Sequence, residues 1–460
     1  MDHFDLIIIG SGSGNAIPEY LSDWRIALVE RGTFGGTCLN VGCIPSKMFV
    51  LPADIAEHAR HLGPSLGVNT SFDGVDWPAI RNRVFGRIDP IAEGGRQYRA
   101  TGTPNVELIP GTARFTEPLG PGPKTVDVDG RTITAPRILV AAGARPYDPD
   151  IPGLADTPFH TSDTVMRLDA LPERLAILGA GYIAVELGHV FSAYGSAVTM
   201  YNRSDRMVRA EDAEVSERFT EVFSKRVEFL PNAMPERIDH DGTAFHITAN
   251  GETRTYDQLL VAVGRRPNSD LVDAETGGLP MNEWGTLVVD DTMATPVEGV
   301  WALGDIANRY QLKHLANTEA KAAFWNMANP DDQRRVDYHA VPHAIFSDPQ
   351  VAGVGLTEAE AAAAGLDYVV GRRDYGGTAY GWALEDDTSF AKVLIERGSG
   401  QILGVHVIGP QAASIIQPLI QAMQFRQTAA EVAEQVFYIH PALTEVIENA
   451  LLEGLQLLAP

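Results

Sequence analysis

The chain has only two cysteines in 460 residues, Cys38 and Cys43. So few thiols exclude a disulfide-stapled secreted scaffold, and neither cysteine can pair with a third. Long hydrophobic runs are missing too, with none reaching the ~18–20 apolar residues that span a bilayer. The N-terminus, MDHFDLIIIG, has no basic stretch before its apolar residues, so no signal peptide is expected. Positive charge is scarce: 36 Lys and Arg stand against 60 Asp and Glu, a net charge of −24. That balance argues against nucleic acid and anionic membranes as partners and fits a protein dissolved in the cytoplasm. No low-complexity tract interrupts the chain, and its length fits two to four domains rather than one core.

Two glycine turns stand out against this background. Phe4–Ile9 is a continuous apolar run that reads as a buried parallel strand. It is followed by Gly10-Ser-Gly12-Ser-Gly14-Asn15, which is expected to open a helix. Gly10 permits the tight turn and Gly12 lets a pyrophosphate approach the backbone, with the helix N-terminus supplying amides and positive dipole. Glu30, at the end of the next strand (Arg25–Glu30), is placed to accept from a ribose hydroxyl. Asn15 departs from the pattern, because a third glycine would normally allow close helix–strand packing there. The second turn, Gly179-Ala-Gly181-Tyr182-Ile-Ala184, follows the strand Leu175–Leu178. Its next strand runs Ser196–Tyr201 and ends on Asn202 and Arg203, with Arg206 and Arg209 beyond. An acid there would suit NAD; cations suit a 2′-phosphate, so NADPH is expected. The competing reading of these arginines is a solvated surface cluster. Two such units imply two nucleotides, one reducing the other, and a flavin fits the acceptor.

The remaining pattern is coarser. Helices are expected from Cys38 to about Arg60, over Trp77–Tyr98 and from about Leu312 to Met327. Strands are expected at Val106–Ile109, Arg137–Ala141, Gln258–Val263, Leu287–Asp290 and Val300–Leu303. After the polar stretch Asn329–Tyr338 the pattern changes to antiparallel strands: Val351–Leu356, Tyr368–Val370, Ala391–Ile395 and Leu403–Ile408. Helices then follow at about Gln411–Phe425, Ala429–Gln435 and after Pro441. The expected fold is α/β, with two Rossmann-like dinucleotide-binding domains and a C-terminal α+β domain. The expected bounds are 1–150 and 273–337 for the first nucleotide domain, 151–272 for the second and 338–460 for the last.

Cys38 and Cys43 lie in Gly36-Thr-Cys-Leu-Asn-Val-Gly-Cys-Ile-Pro-Ser-Lys47, eight residues beyond Glu30. No His or Asp crowds the segment, so no metal site is expected. A purely structural disulfide would close a very small loop and stabilise little. Two unpaired core thiols are the plain alternative. Cysteines at a helix start gain thiolate character from the dipole, which makes them reactive.

Gly35–Lys47, Gly179–Glu186, Leu303-Gly304-Asp305 and His440-Pro-Ala-Leu-Thr-Glu445 together resemble the flavoprotein disulfide reductases. That family includes glutathione reductase and dihydrolipoyl dehydrogenase, and the motifs occur in its order over essentially the whole chain. Phe85–Pro90, Thr161–Arg167, Leu312–Glu319, Tyr375–Glu385 and His440–Leu451 resemble more particularly its mycothione-reducing branch.

The resemblance implies FAD and NADPH as cofactors, mycothione as the small-molecule disulfide and a homodimer whose active site is shared between subunits. By the same resemblance, Cys43 faces the flavin as the charge-transfer thiolate and Cys38 is the interchange thiol. Lys47 sits by flavin N5 and pairs with Glu186. Asp305 binds the ribityl chain, and the helix from Leu312 aims its N-terminus at the flavin. Gly36, Thr37, Gly143 and Gly264 add cofactor contacts. Tyr182 is a lid over the nicotinamide; the alternative is an ordinary core aromatic. Arg203 and Arg209 bind the 2′-phosphate, and His440 and Glu445 form an acid–base dyad. Rival readings are a dihydrolipoyl dehydrogenase using NAD, a nucleotide transhydrogenase, a mercuric or thioredoxin reductase, and an inactive flavin-binding scaffold. The cations after Tyr201 disfavour the first. Both cysteines disfavour the second, the lack of C-terminal cysteines the third, and the complete residue set the last.

Overall fold

The structure, a computed structural model, describes residues 2–458, so residues 1, 459 and 460 at the outer ends of the expected first and last domains lie outside the described residues. The chain folds into two compact units. One is formed by Met1–Pro45, Ala79–Tyr147 and Gly264–Asp337, the other by Ser46–Pro78, Asp148–Val263 and Tyr338–Pro460.

The first unit centres on a five-stranded parallel sheet. Its order is Val300–Ala302, Arg137–Val140, Leu6–Ile9, Ile26–Glu30 and Val106–Pro110. Every residue of Leu6–Ile9 is buried, as its unbroken apolar run requires of a strand covered on both faces. Ile7, Ile9, Val29, Ile138, Val140 and Val300 continue one core across the sheet. A smaller sheet joins Ala113–Arg114, Lys124–Val128 and Arg131–Ala135, with Asp2–His3 alongside.

The second unit repeats the plan. Glu228–Leu230, Ala197–Tyr201, Arg174–Leu178 and Gln258–Val261 form a parallel sheet in the same relative order. An antiparallel sheet, Arg237–His240, Phe245–Ala249 and Glu252–Tyr256, is inserted at the corresponding point. The C-terminal part is a five-stranded antiparallel sheet: Pro342–Ile345, Val351–Gly355, Ile402–Ile408, Phe390–Glu396 and Tyr368–Asp374. The helix Thr444–Leu458 packs on its last two strands. It comes so close that a Cβ on Gly371 would lie 1.9 Å from the Ala450 carbonyl oxygen. Among the described residues, no helix is long and apolar enough to cross a membrane.

Several expected elements differ. The first glycine turn opens only a 3₁₀ turn, Ser13–Asn15, followed by another at Glu19–Leu21. Pro18 has no amide to donate and disfavours helical geometry at Ile17, which ends the helix before its second turn. The helix expected from Cys38 to Arg60 is two helices, Gly36–Asn40 and Cys43–Glu57, broken where Val41 leaves helical geometry (φ −143°, ψ 10°). Leu287–Asp290 is not a strand; Leu287 makes one isolated bridge to Met281. The helix expected at Gln411–Phe425 divides into Ala412–Ile415 and Gln417–Gln424, the second with Pro418 in its first turn, where a missing amide is tolerated.

Candidate functional site: a dithiol beside a glycine turn, and a second glycine turn

In the first unit the glycine turn and the cysteine loop meet backbone to backbone. Gly10 has φ +106°, and a Cβ there would lie 2.4 Å from the Ala141 carbonyl oxygen. Gly36 has φ +74°, and its Cβ would lie 2.7 Å from the Gly12 Cα. Gly14, rather than residue 15, makes the close approach to the sheet: a Cβ there would stand 2.9 Å from both Ala141 Cβ and Ile8 Cγ2. Asn15 instead accepts at its side-chain oxygen from Arg99 Nε at 2.7 Å.

Glu30 ties these pieces together. One carboxylate oxygen accepts from the Ser11 amide (2.9 Å) and Ser11 Oγ (2.6 Å), the other from the Gly32 amide (2.8 Å). Ser11 Oγ in turn accepts from the Gly35 amide at 2.8 Å. A carboxylate has about four lone-pair sites, so Glu30 keeps room for one further donor. Asn40, buried and two residues past Cys38, donates to the carbonyls of Phe34 (2.9 Å) and Gly36 (3.0 Å) and holds the loop that presents Thr37 and Cys38. Asn40 was not singled out by the sequence, where it reads as an ordinary polar helix residue.

Cys38 is half-buried and Cys43 exposed. The hydrogen bond with the Cys43 sulfur raises the Cys38 pKa well above the ordinary thiol value; burial and the Cys43 charge add to this, and Lys313 opposes it. Cys43 occupies the first position of a fifteen-residue helix, where a dipole favours the anion.

The same unit carries a second cradle. Leu303-Gly304-Asp305 turns at Gly304 (φ +73°). The Gly304 amide donates to the buried Glu319 at 2.7 Å, and Asn308 donates to both Glu319 oxygens at 2.9 and 3.0 Å. Glu319 is thus a positioning residue to which the sequence pattern alone gave no role. Burial raises the Asp305 pKa, and Arg265, 3.9 Å away, opposes this along with Lys313. Leu312 is extended (φ −116°, ψ 129°) and precedes the helix Lys313–Ala328. Lys313, also missed, donates to Ser13 Oγ at 2.9 Å. Gly143 (φ +66°) and Gly264 (φ +143°) flank the strand pair Ala144–Pro146 and Arg265–Pro267. A left-handed glycine turn, a free acceptor site on Glu30 and a desolvated Asp305 together fit a dinucleotide with hydroxyl-bearing arms.

In the second unit Gly179 repeats the Gly10 geometry: φ +105°, with a Cβ 2.4 Å from the Ala262 carbonyl oxygen. Here a thirteen-residue helix, Tyr182–Tyr194, follows Gly181 directly. Tyr182 is 45% exposed, which excludes the core-aromatic reading. Asn202 is buried and donates to Ser204 Oγ (2.8 Å) and the Arg206 carbonyl (3.1 Å), shaping the loop rather than facing outward. Arg206 pairs with Glu217 at 2.9 Å. Arg203 and Arg209 are exposed and form no ion pair among the described residues.

Lys47 Nζ donates to both Glu186 oxygens at 2.8 Å and lies 4.6 Å from the Phe346 ring centroid. The Phe346 amide holds the same carboxylate at 2.8 Å. His440 Nδ1 lies 2.7 Å from Glu445 Oε1, with the imidazole largely exposed and the carboxylate mostly buried. Val436, Phe437 and Ile439, just before it, are exposed apolar residues.

The family described as pyridine nucleotide-disulphide oxidoreductase matches residues 4–320, and its dimerisation domain matches residues 341–451. The chain is 46% identical over 461 residues to mycothione reductase of Mycobacterium tuberculosis, covering 98% of this chain and 99% of that protein. It is 33% identical to mercuric reductase of Shigella flexneri, over 99% of this chain and 80% of that one. Among solved structures, the HOCl-induced flavoprotein disulfide reductase RclA of Escherichia coli superposes with a TM-score of 0.84 at 26% identity, covering 99% of this chain and all of that one.

Proposed function

Because the chain belongs to the pyridine nucleotide-disulphide oxidoreductase family, we propose that it reduces mycothione to mycothiol with NADPH, FAD and the Cys38–Cys43 pair. Mycothione is the disulfide of a cysteinyl glucosamine–inositol thiol. When bound, FAD supplies a two-electron carrier that accepts hydride and opens a disulfide. Gly10, Gly12, Gly14, Gly36, Thr37, Gly143 and Gly264 would shape its seat, Glu30 and Asp305 would accept from its hydroxyls, and Lys47, fixed by Glu186, would supply it positive charge. Leu312 caps the helix Lys313–Ala328, whose N-terminus would stabilise negative charge on it. Gly179, Gly181 and Tyr182 receive NADPH, with Arg203 and Arg209 on its 2′-phosphate.

Cys38 attacks one sulfur of the substrate disulfide, forming a mixed disulfide and expelling a thiolate. His440 of the partner subunit gives that thiolate its proton, and Glu445 orients the imidazole and stabilises its charge. Cys43 then attacks the Cys38 sulfur, releasing the second thiol and restoring the Cys38–Cys43 bond. The electron pair ends on the substrate, which leaves as two thiols.

The protein works as a homodimer. The exposed Val436, Phe437 and Ile439 beside His440 support a site completed across that dimer. A reductase fed by NADPH, with so few cysteines, suits the cytoplasm.

The observation that carries the reading is the Cys38–Cys43 hydrogen bond on a loop tied through Gly35 and Ser11 to the first glycine turn. NADPH oxidation measured in parallel with mycothione, glutathione disulfide and lipoamide tests it; mycothione turns over fastest. Cys38→Ser should still let NADPH bleach the flavin but abolish disulfide turnover. Normal turnover in that variant would refute the assignment.

A further inference from the structure

An open cavity of about 830 Å³ lies in the C-terminal part of the second unit, apart from every residue assigned above. Its walls are the end of strand Tyr368–Asp374, the glycine-rich turn after it, the short helix Ala379–Ala383 and Glu453 of the last helix. The volume lies within the ~300–1,000 Å³ usual for small-molecule sites.

The turn is built to hold one aromatic face outward. Tyr375 is fully buried, and its hydroxyl donates to the Pro410 carbonyl at 3.1 Å. A Cβ on Gly381 would fall 1.7 Å from the Tyr375 carbonyl oxygen, and one on Gly376 would fall 2.7 Å from that of Asp386. Only glycines let the chain fold back this tightly. Trp382 Nε1 donates to the Gly376 carbonyl at 2.7 Å, yet 64% of the residue is exposed. With its N–H already bonded, the indole offers a ligand only its apolar surface.

The charges around it are selective. Arg372 is committed to Glu214 (2.6 Å) and Asp374 (2.8 Å), and Arg373 to Glu453 (2.9 Å) and the Gly377 carbonyl. Asp386 is turned onto Ser389 and the Thr388 amide. Glu385 and Asp387 make no ion pair among the described residues. Such a wall repels a substrate tail bearing carboxylates and accepts from hydroxyls. A flat apolar face with acceptor-only neighbours is the chemistry of a neutral sugar ring, whose C–H face packs on an aromatic while its hydroxyls donate sideways.

The geometry points to this cavity as the seat of the sugar portion of the thiol substrate, packed on Trp382 with its hydroxyls donating to Glu385 and Asp387. Glu453 lies on the same helix as Glu445, eight residues on, or ~12 Å along its axis. The chain that supplies the acid–base dyad therefore also supplies the sugar platform. This inference rests on mycothione being the substrate.

The test compares wild-type holoenzyme with Trp382→Ala, Trp382→Phe and the double change Glu385→Gln/Asp387→Asn, using mycothione and the sugar-free disulfide 5,5′-dithiobis(2-nitrobenzoate). Trp382→Ala raises KM for mycothione ~10-fold with kcat little changed, as loss of one aromatic contact would. Trp382→Phe restores most of that loss, the double change raises KM for mycothione again, and rates with the sugar-free disulfide stay at the wild-type level in both Trp382 variants. An unchanged KM for mycothione in Trp382→Ala, or an equal loss with both disulfides, overturns the cavity's role. A wild-type enzyme that reduces the sugar-free disulfide but not mycothione instead refutes the substrate, and this inference with it.

Discussion

The two glycine turns share one strand order and almost the same first-glycine geometry, φ +106° at Gly10 and +105° at Gly179. They differ in the element each turn leads into. After Gly181 comes a thirteen-residue helix, whose amides and dipole are a ready anion site. After Gly12 comes a three-residue 3₁₀ turn, too short to carry such a dipole. Side chains replace it: Glu30 and Ser11 tie the turn to the cysteine loop, Lys313 reaches Ser13, and Arg99 braces Asn15. A turn fixed by many side chains suits a cofactor that stays; a turn resting on one helix end suits a nucleotide that exchanges.

Twin substitutions give the sharpest break. Gly10→Ala and Gly179→Ala each drive a methyl into a carbonyl oxygen from a left-handed backbone. Gly10→Ala should yield protein with little bound flavin, read from its visible absorbance. Gly179→Ala should stay yellow but lose on the order of 100-fold in kcat/KM for NADPH. Equal flavin loss in both would erase the distinction. Next, Arg203→Ala and Arg209→Ala should each raise KM for NADPH ~10-fold while leaving NADH unchanged, as the loss of a charge-assisted phosphate contact requires. Lys313→Met should release flavin a few-fold faster on dilution without altering KM for NADPH, because that amine donates to Ser13 of the first turn and otherwise acts on Asp305 and Cys38, all within the first unit.

The smallest effect concerns pH. His343 lies 2.8 Å from Glu211, two residues beyond Arg209, and that carboxylate raises the imidazole pKa even though burial opposes it. A raised imidazole pKa adds stability that is full below its unfolded value of ~6.5 and lost as pH rises through the folded value. Thermal unfolding followed from pH 6 to 9 should therefore show wild type losing a margin of a few degrees over His343→Gln. A margin that grew with pH would contradict the pairing.

Much of this was legible because it rests on residues with few roles. Left-handed turns demand glycine, so Gly10, Gly36 and Gly179 announced themselves, and uninterrupted runs such as LIII marked strands buried on both faces. The chemistry of Lys47 with Glu186 and His440 with Glu445 lies in side chains 139 and five residues apart, which a motif can suggest but only folding can join. What stayed hidden was tertiary. Pro18 was visible, but its effect on the first helix was outweighed by the strength of the glycine pattern. Asn40, Glu319 and Lys313 look like ordinary polar helix residues until the carbonyls, amides and hydroxyl they serve are brought to them. The strand Lys124–Val128 alternates buried and half-buried positions with the period of two of a sheet covered on one face, a signal short enough to pass unread among turn residues.

Anaerobic titration with NADPH tests the central claim most directly. Wild-type holoenzyme should take up one equivalent per flavin to open the Cys38–Cys43 bond, with the long-wavelength absorbance of a thiolate beside an oxidised flavin, and a second equivalent to bleach the flavin. Cys43→Ser should bleach with the first equivalent and show no such band. If Cys43→Ser still consumed the extra equivalent, the two sulfurs would not lie on the electron path.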